Sequence, residues 1–216
     1  MNYTKTIRNY INENKGTIFD MGYEFKERFY MVASNTFIVV IKRLEKEGIL
    51  KLLYKGTYLI VADGVDEDDA IANFYASKGN GMFLGYKLFN KLGLSTYKTS
   101  NYEILTRRIG TTTKHIKDNK IIKYDTMHFD SVTQSIITVL EIVKHGYIEM
   151  EEHCDAESFL STVRNLCKKY REEEFKEVLV RTNYPLKIYR MYVRLLDMFN
   201  VPNKAMEIVN RGIKID

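Results

Sequence analysis

The stretch from residue 34 to residue 60, SNTFIVVIKRLEKEGILKLLYKGTYLI, carries two secondary-structure periods back to back. The residues that recur at the i, i+3, i+4 and i+7 spacing of an apolar helix face are Phe37, Val40, Ile41 and Leu44. Gly48 follows, where a helix commonly ends in the left-handed region. The first half of the stretch therefore predicts a helix of about four turns, with Ser34 or Asn35 as its N-cap.

After Gly48 the pattern changes to two short β-type runs, 49–53 and 57–61. They flank Tyr54-Lys55-Gly56, a turn signal in which glycine adopts a positive φ at little cost. This half predicts a β-hairpin that directly follows the helix.

Two helices are predicted upstream of this stretch. Residues 4–11 place Ile7, Tyr10 and Ile11 on one face, Gly16 ends the segment, and residues 20–29 offer a second short helix. Three helices followed by a hairpin are typical of the winged helix-turn-helix unit, in which the third helix enters the major groove of DNA.

The candidate DNA-binding side chains are those that the core of this unit does not need. They are Ser34, Asn35, Thr36, Val39, Lys42, Arg43, Lys46, Lys51, Tyr54 and Lys55. The lysines and the arginine would pair with phosphates, which position a protein on DNA without choosing a sequence. Ile38 and Val39 make the outer side of the helix unusually apolar, so a surface that docks another protein is the alternative interpretation.

Composition indicates an ordinary globular protein, with 45% hydrophobic and 28% charged residues among 216. No apolar run is long enough to span a membrane or to form the core of a signal peptide, which predicts a cytoplasmic protein without membrane contact. Cys154 and Cys167 are too few for a disulfide framework and lack zinc-ligand spacing, so they are interpreted as reduced core thiols.

Charge is distributed unevenly along the chain. Residues 1–62 carry ten Lys and Arg against six Asp and Glu, and residues 71–125 carry ten against three. Residues 126–216 are nearly balanced, with thirteen against fourteen. The basic first half suits a polyanionic partner.

The acidic segment 63–70, DGVDEDDA, separates the two basic stretches. Asp66, Glu67, Asp68 and Asp69 suit the first turn of a helix, where acids interact well with the helix dipole. A divalent-metal site is the alternative, but the run lacks a remote third ligand. The interpretation favoured here is a domain boundary that leads into a helix.

A mixed α/β segment is predicted next. Residues 82–92 read as a helix that Gly93 ends, and β-type runs at 102–106, 114–117 and 120–124 predict a small antiparallel sheet. Its basic residues form a secondary candidate patch for DNA or for a protein partner. They are Arg107, Arg108, Lys114 and Lys117. The alternative is a charged sheet face that only serves solubility.

The last third of the chain predicts amphipathic helices over 131–146, 156–170, 172–180, 185–199 and 203–212. Enzyme chemistry is not indicated, because the chain has no nucleophile elbow and its histidines are scattered. His153 and Cys154, with His145, come closest to a metal site and lack paired spacing. No cofactor and no metal are expected, and the predicted class is a non-enzyme.

Three segments together resemble the transcriptional regulators and antitoxins of type IV toxin–antitoxin systems, the abortive-infection E type (AbiEi-like). They are TIRNYINENKGTIFD, KRLEKEGIL with LLYKGTYLI, and GMFLGYKLFNKLGLST, which cover roughly the first half of the chain. The matching residues in the winged helix are Arg43, Leu44, Gly48, Ile49, Lys55, Gly56 and Tyr58. The third segment is similar to a second family block, a small-residue helix that ends in Gly-Leu-Ser or Gly-Leu-Thr.

The resemblance implies an antitoxin that represses its own operon. It implies double-stranded operator DNA with an inverted repeat, self-association on that DNA, and a cognate nucleotidyltransferase-like toxin as partners. The expected fold class is α+β and mostly helical. A winged helix-turn-helix domain is expected over 1–62 and an antitoxin-like C-terminal domain over 63–216, with 63–125 mixed α/β and 126–216 helical.

Overall fold

The computed structural model describes residues 3–77, 79–126, 129–146 and 155–212. The fold is α+β, and helix predominates over strand. The chain divides into two compact units, the first formed by residues 1–81 and 104–123 and the second by residues 82–103 and 124–216. Each unit is thus assembled from two separate stretches of sequence.

The N-terminal stretch of the first unit begins with three helices and three strands. They are α1 Tyr3–Glu13, β1 Ile18–Asp20, α2 Met21–Glu27, α3 Ser34–Lys46, β2 Leu50–Tyr54 and β3 Thr57–Ile60. The three helices and the β2–β3 hairpin confirm the sequence-based prediction. The short strand β1 was not predicted. It pairs antiparallel with β3, so that the sheet order is β1-β3-β2.

The core of this region forms between α1, α3 and the sheet. Ile7 and Ile11 of α1 and the four predicted apolar residues of α3 are buried. Phe37 of α3 lies in an aromatic cluster, with ring centroids 5.1 Å from Phe25 and 5.5 Å from Phe29. Burying a large apolar side chain of this kind contributes about 1.5–3 kcal/mol, so the inner face of α3 is strongly anchored.

The rest of the first unit contains α4 Glu67–Tyr75 and the strands β5 Glu103–Thr106, β6 Thr113–Ile116 and β7 Asn119–Lys123. Asp66 caps α4 by accepting a hydrogen bond from the Asp69 N–H at 2.9 Å, which confirms the predicted helix start. Strands β5, β7 and β6 lie side by side in that order, and β6 pairs antiparallel with β7 as predicted.

Gly81 is enclosed by backbone within the first unit. A Cβ atom at this position would lie 2.2 Å from the Tyr75 carbonyl oxygen and 2.4 Å from that of Leu105. Both distances are far below van der Waals contact, and backbone atoms cannot rotate away as a side chain can. Gly81 is the first residue of strand β4, Gly81–Leu84, and only glycine fits at this position.

Gly81→Ala is therefore expected to lower the free energy of unfolding by about 1–3 kcal/mol, because the added methyl forces two backbone segments apart. Gly22→Ala in α2 is the matched control. Its Cβ would meet ordinary contacts at 3.5 Å or more, and alanine has a higher helix propensity than glycine. Urea unfolding of both variants, followed by circular dichroism, checks the contrast. Equal midpoints for the two would contradict it.

The second unit consists mainly of helices. They are α5 Gly85–Lys91, α6 Ser131–His145, α7 Ala156–Cys167, α8 Glu172–Arg181, α9 Leu186–Met198 and α10 Ala205–Gly212. The helices predicted over the last third are thus confirmed, with shifted ends. The helix predicted over 82–92 is wrong in its first turn. Met82, Phe83 and Leu84 are buried in β4, and a short buried apolar run fits strand and helix equally well.

Cys167 is a buried free thiol, as predicted, and burial raises its pKa to about 12. Cys154 lies outside the described residues. No helix in the part of the chain that the structure describes is long and apolar enough to cross a membrane.

Candidate nucleic-acid interface

Helix α3 presents its outer face to solvent because its inner face is held by the core. Arg8 of α1 holds the C-terminal end of α3 through Glu47, with its Nη2 atom 2.7 Å from one carboxylate oxygen and 2.9 Å from the other. Gly48, with φ +73°, then ends the helix. The predicted N-cap is wrong, because the Ala33 carbonyl already accepts from the Phe37 N–H and no side chain caps α3. Ser34 is the first helical residue.

A mostly polar and basic stripe, interrupted by Val39, runs along the outer face of α3. Asn35, Val39, Lys42 and Lys46 follow one another at spacings of four, three and four residues, which places them on one side of a helix. This side is opposite to the buried residues. Arg43 lies beside the stripe, one turn beyond Val39.

The β2–β3 hairpin carries the remaining candidates. Tyr54 pairs with Thr57, which leaves Lys55 and Gly56 as a two-residue turn at the tip. Gly56 adopts φ +74°, the positive φ for which the sequence predicted glycine. A bulge between Leu52 and Tyr54 interrupts the register.

All ten sequence-predicted DNA-binding residues are exposed. Those on α3 are Ser34, Asn35, Thr36, Val39, Lys42, Arg43 and Lys46, and those on the hairpin are Lys51, Tyr54 and Lys55. None is used to fill the core. The structure therefore leaves every one of these side chains accessible to a large partner.

These cations differ in whether a carboxylate neutralises them. Lys51 lies 2.6 Å from Glu67, which also pairs with Lys117 at 2.9 Å. Hydrogen bonds from both lysines lower the pKa of Glu67. Lys51 is thus tied to the start of α4 and is a weaker candidate for a phosphate contact than the sequence suggested.

Four of the predicted cations have no such partner. No residue in the described ranges forms an ion pair with Lys42, Arg43, Lys46 or Lys55. Their full charge remains available to an external anion. We refer to these four residues as the free cations.

The predicted secondary basic patch is not an exposed patch. Lys114 is buried in an ion pair with Asp20, and Lys117 is paired with Glu67 and Asp68. Arg108 is half-buried, with its guanidinium 4.8 Å from the ring centroid of Phe74. Arg107 is also half-buried and has internal interactions. The patch prediction fails because these cations are already engaged within the chain: Lys114 by a buried carboxylate, Lys117 by two carboxylates at the surface, and Arg108 by an aromatic ring.

No local pattern of residues indicated the buried polar cluster around Asp20. One oxygen of Asp20 accepts from the Tyr23 N–H at 3.1 Å and caps α2. The other accepts from the Tyr75 hydroxyl at 2.7 Å and from Lys114, whose Nζ atom also donates to Thr57 at 2.8 Å. Burial and the charge of Asp20 raise the pKa of Tyr75 well above its usual value. The cluster joins residues 94 positions apart, which no local pattern indicates.

A second unpredicted cluster surrounds Glu141, which is buried in the second unit. It accepts from the Gly85 N–H at 3.0 Å, the Tyr184 hydroxyl at 2.7 Å and Lys144 at 3.2 Å, and His145 lies 3.6 Å away. Burial alone would raise the pKa of Glu141. The neighbouring His145, the charge of Lys144 and the hydrogen bonds outweigh burial and hold it at about 2.

Within the residues described, no group of three or more His, Cys, Asp or Glu side chains is placed to hold a metal ion. The sequence pairing of His153 and Cys154 lies outside those residues. No protein-family model matches this chain, and no curated protein matches it in sequence.

Proposed function

We propose that the N-terminal part of the first unit is a winged helix-turn-helix that binds double-stranded DNA. The element order α1-β1-α2-α3-β2-β3, with the β2–β3 hairpin as the wing, supports this proposal. The observation that carries it is the set of free cations on α3 and at the hairpin tip. Cations without internal partners on one helix and on the adjacent turn suit the phosphates that flank a major groove.

The resemblance to AbiEi-like antitoxins makes the proposal more specific. On this basis the protein is a cytoplasmic regulator that represses its own operon by binding an inverted repeat with more than one copy. It also counters a nucleotidyltransferase-like toxin encoded beside it. The second unit, with its array of amphipathic helices, would then engage the toxin or a second copy of the chain.

A mobility-shift assay on DNA from upstream of the protein's own gene tests DNA binding. Arg43→Ala combined with Lys55→Ala should weaken binding roughly tenfold at low salt. The slope of log affinity against log salt should fall by about two, because two phosphate contacts are lost.

The matched control removes the same charge from the second unit. Lys168→Ala combined with Lys169→Ala lowers the net charge equally, and both residues are exposed. This variant should bind nearly as the wild type does. If the two double variants lose affinity equally, only overall charge matters and the assigned interface is wrong. If the wild type shows no sequence-preferring binding, the DNA-binding proposal itself fails.

A second candidate function is protein docking through the same surface. The exposed apolar side chain of Val39 (55%) favours it, and Tyr30 (65%) and Met31 (70%) add exposed apolar area in the loop before α3. Co-expression with the neighbouring open reading frame separates the two functions. Growth rescue that survives Arg43→Ala with Lys55→Ala but is lost on Val39→Asp assigns the surface to a protein partner.

A further inference from the structure

Two apolar side chains lie within the otherwise polar outer face of α3. Val39 is 55% exposed and Ile38 is 36% exposed. The buried stripe of α3 lies opposite Val39, so Val39 is not part of the core, whereas Ile38 lies at the edge of that stripe and is partly covered. Val39 lies one turn beyond Asn35 and one turn before Arg43.

The surroundings of Val39 limit what could cover it. Lys42, Arg43 and Lys46 lie on the same side of the helix without an internal ion pair, so the covering surface must be anionic. It must also offer an apolar group at the centre. In the major groove of DNA the C5 methyl group of thymine is the apolar group on a base edge, and phosphates line both sides.

Asn35 adds a second base-reading group in register with Val39. The asparagine amide matches the N6 and N7 atoms of adenine in the major groove. Residues four positions apart are separated by about 6 Å along a helix axis. This distance is close to the length of two base-pair steps of about 3.4 Å each along one DNA strand. Asn35 and Val39 can therefore face base pairs that are neighbours or next neighbours.

We propose that Val39, flanked by Ile38, contacts the C5 methyl group of a thymine in the bound operator, and that Asn35 pairs with an adenine one or two steps away. This inference rests on the proposed DNA binding and names the base-edge groups that the outer face of α3 contacts. The preferred sites are A·T steps, and the methyl group rather than the Watson–Crick pair provides the discrimination at the Val39 position.

Replacement of thymine by uracil in the footprinted promoter duplex tests this inference. Uracil pairs with adenine as thymine does and lacks only the methyl group. Uracil at the contacted position should weaken binding about fourfold, which is the loss of affinity expected when one buried methyl group is removed. Uracil outside the footprint should have no effect. Sequence-preferring binding that ignores uracil at every position overturns this inference and leaves the proposed function intact.

Protein variants identify the side chain that reads the methyl group. Val39→Ala, which removes both Cγ methyl groups, should bind the thymine duplex about fourfold to fifteenfold more weakly and should no longer distinguish thymine from uracil. Val180→Ala, which trims an 83% exposed valine in the second unit, is the matched control and should behave as the wild type does. Discrimination that persists in Val39→Ala overturns the role of Val39. Absence of any sequence-preferring binding by the wild type overturns the proposed function instead.

Discussion

Lys114→Met is expected to lower the free energy of unfolding by about 3–5 kcal/mol, because it leaves the Asp20 carboxylate buried without its cation. Asp20 is fully buried, and the Lys114 side chain is only 9% exposed. Methionine fills a similar volume, so the loss reports charge rather than a cavity. Urea unfolding followed by circular dichroism measures the difference.

Lys117→Met is the matched control, since Lys117 follows β6 directly and its ion pairs are at the surface. Its side chain is 42% exposed, and surface pairs typically contribute below about 1 kcal/mol. Asp20→Asn added to Lys114→Met should recover part of the loss, because it removes the unpaired charge and keeps an oxygen that can cap α2. The account of the cluster is wrong if Lys114→Met costs no more than Lys117→Met.

Glu141→Gln is expected to cost about 3 kcal/mol of unfolding free energy at neutral pH. The pKa of Glu141 is lowered from 4.5 to about 2 in the fold. Each unit of such a pKa shift means that the fold favours the carboxylate over its protonated form by about 1.4 kcal/mol. Glutamine also replaces one carboxylate oxygen by an NH2 group, which only donates. That NH2 group would face the Tyr184 hydroxyl or the Gly85 N–H, which are donors themselves.

The cost should depend on pH in a defined direction. Because the folded pKa lies below the unfolded value, the carboxylate stabilises the fold fully above about pH 4.5, and this stabilisation is lost as the pH falls toward 2. The difference between wild type and Glu141→Gln should therefore shrink over this window, since a protonated Glu141 resembles glutamine. Denaturant midpoints at several pH values across the window measure it.

Glu173→Gln serves as the control for this prediction. Glu173 is 83% exposed and pairs with Lys176 on the surface of α8. Its replacement should cost less than about 1 kcal/mol at any pH. A Glu141→Gln penalty that stays constant from neutral pH to about pH 2 would show that the carboxylate charge is not the source of the stabilisation.

Helix α3 and its hairpin were predictable because each depends on neighbours in sequence. The recurrence of Phe37, Val40, Ile41 and Leu44 sets which face of α3 is buried, and Gly56 sets where the hairpin turns. The complementary exposed face, and with it the seven candidate contacts on α3, follows from the same periodicity. Strand β1 was missed because a three-residue strand is defined by its pairing with β3 and has no period of its own.

The state of each cation was not predictable in this way. Lys114, Lys117 and Lys55 look alike in the sequence, each a lysine in or beside a short β-type run. In the fold one is buried against Asp20, one is paired with Glu67 and one is free at a turn. Whether a charge faces solvent or a carboxylate depends on which distant segment lies beside it.

The amino-acid sequence by itself determined the helices, the hairpin and the exposed face of α3, because side-chain periodicity and glycine conformation act over a few residues. Only the tertiary structure decided which cations remain free, and it alone created the Asp20 and Glu141 clusters. Those clusters join groups 94 and 56 residues apart. Their energy comes from desolvated charges that meet only after the chain has folded.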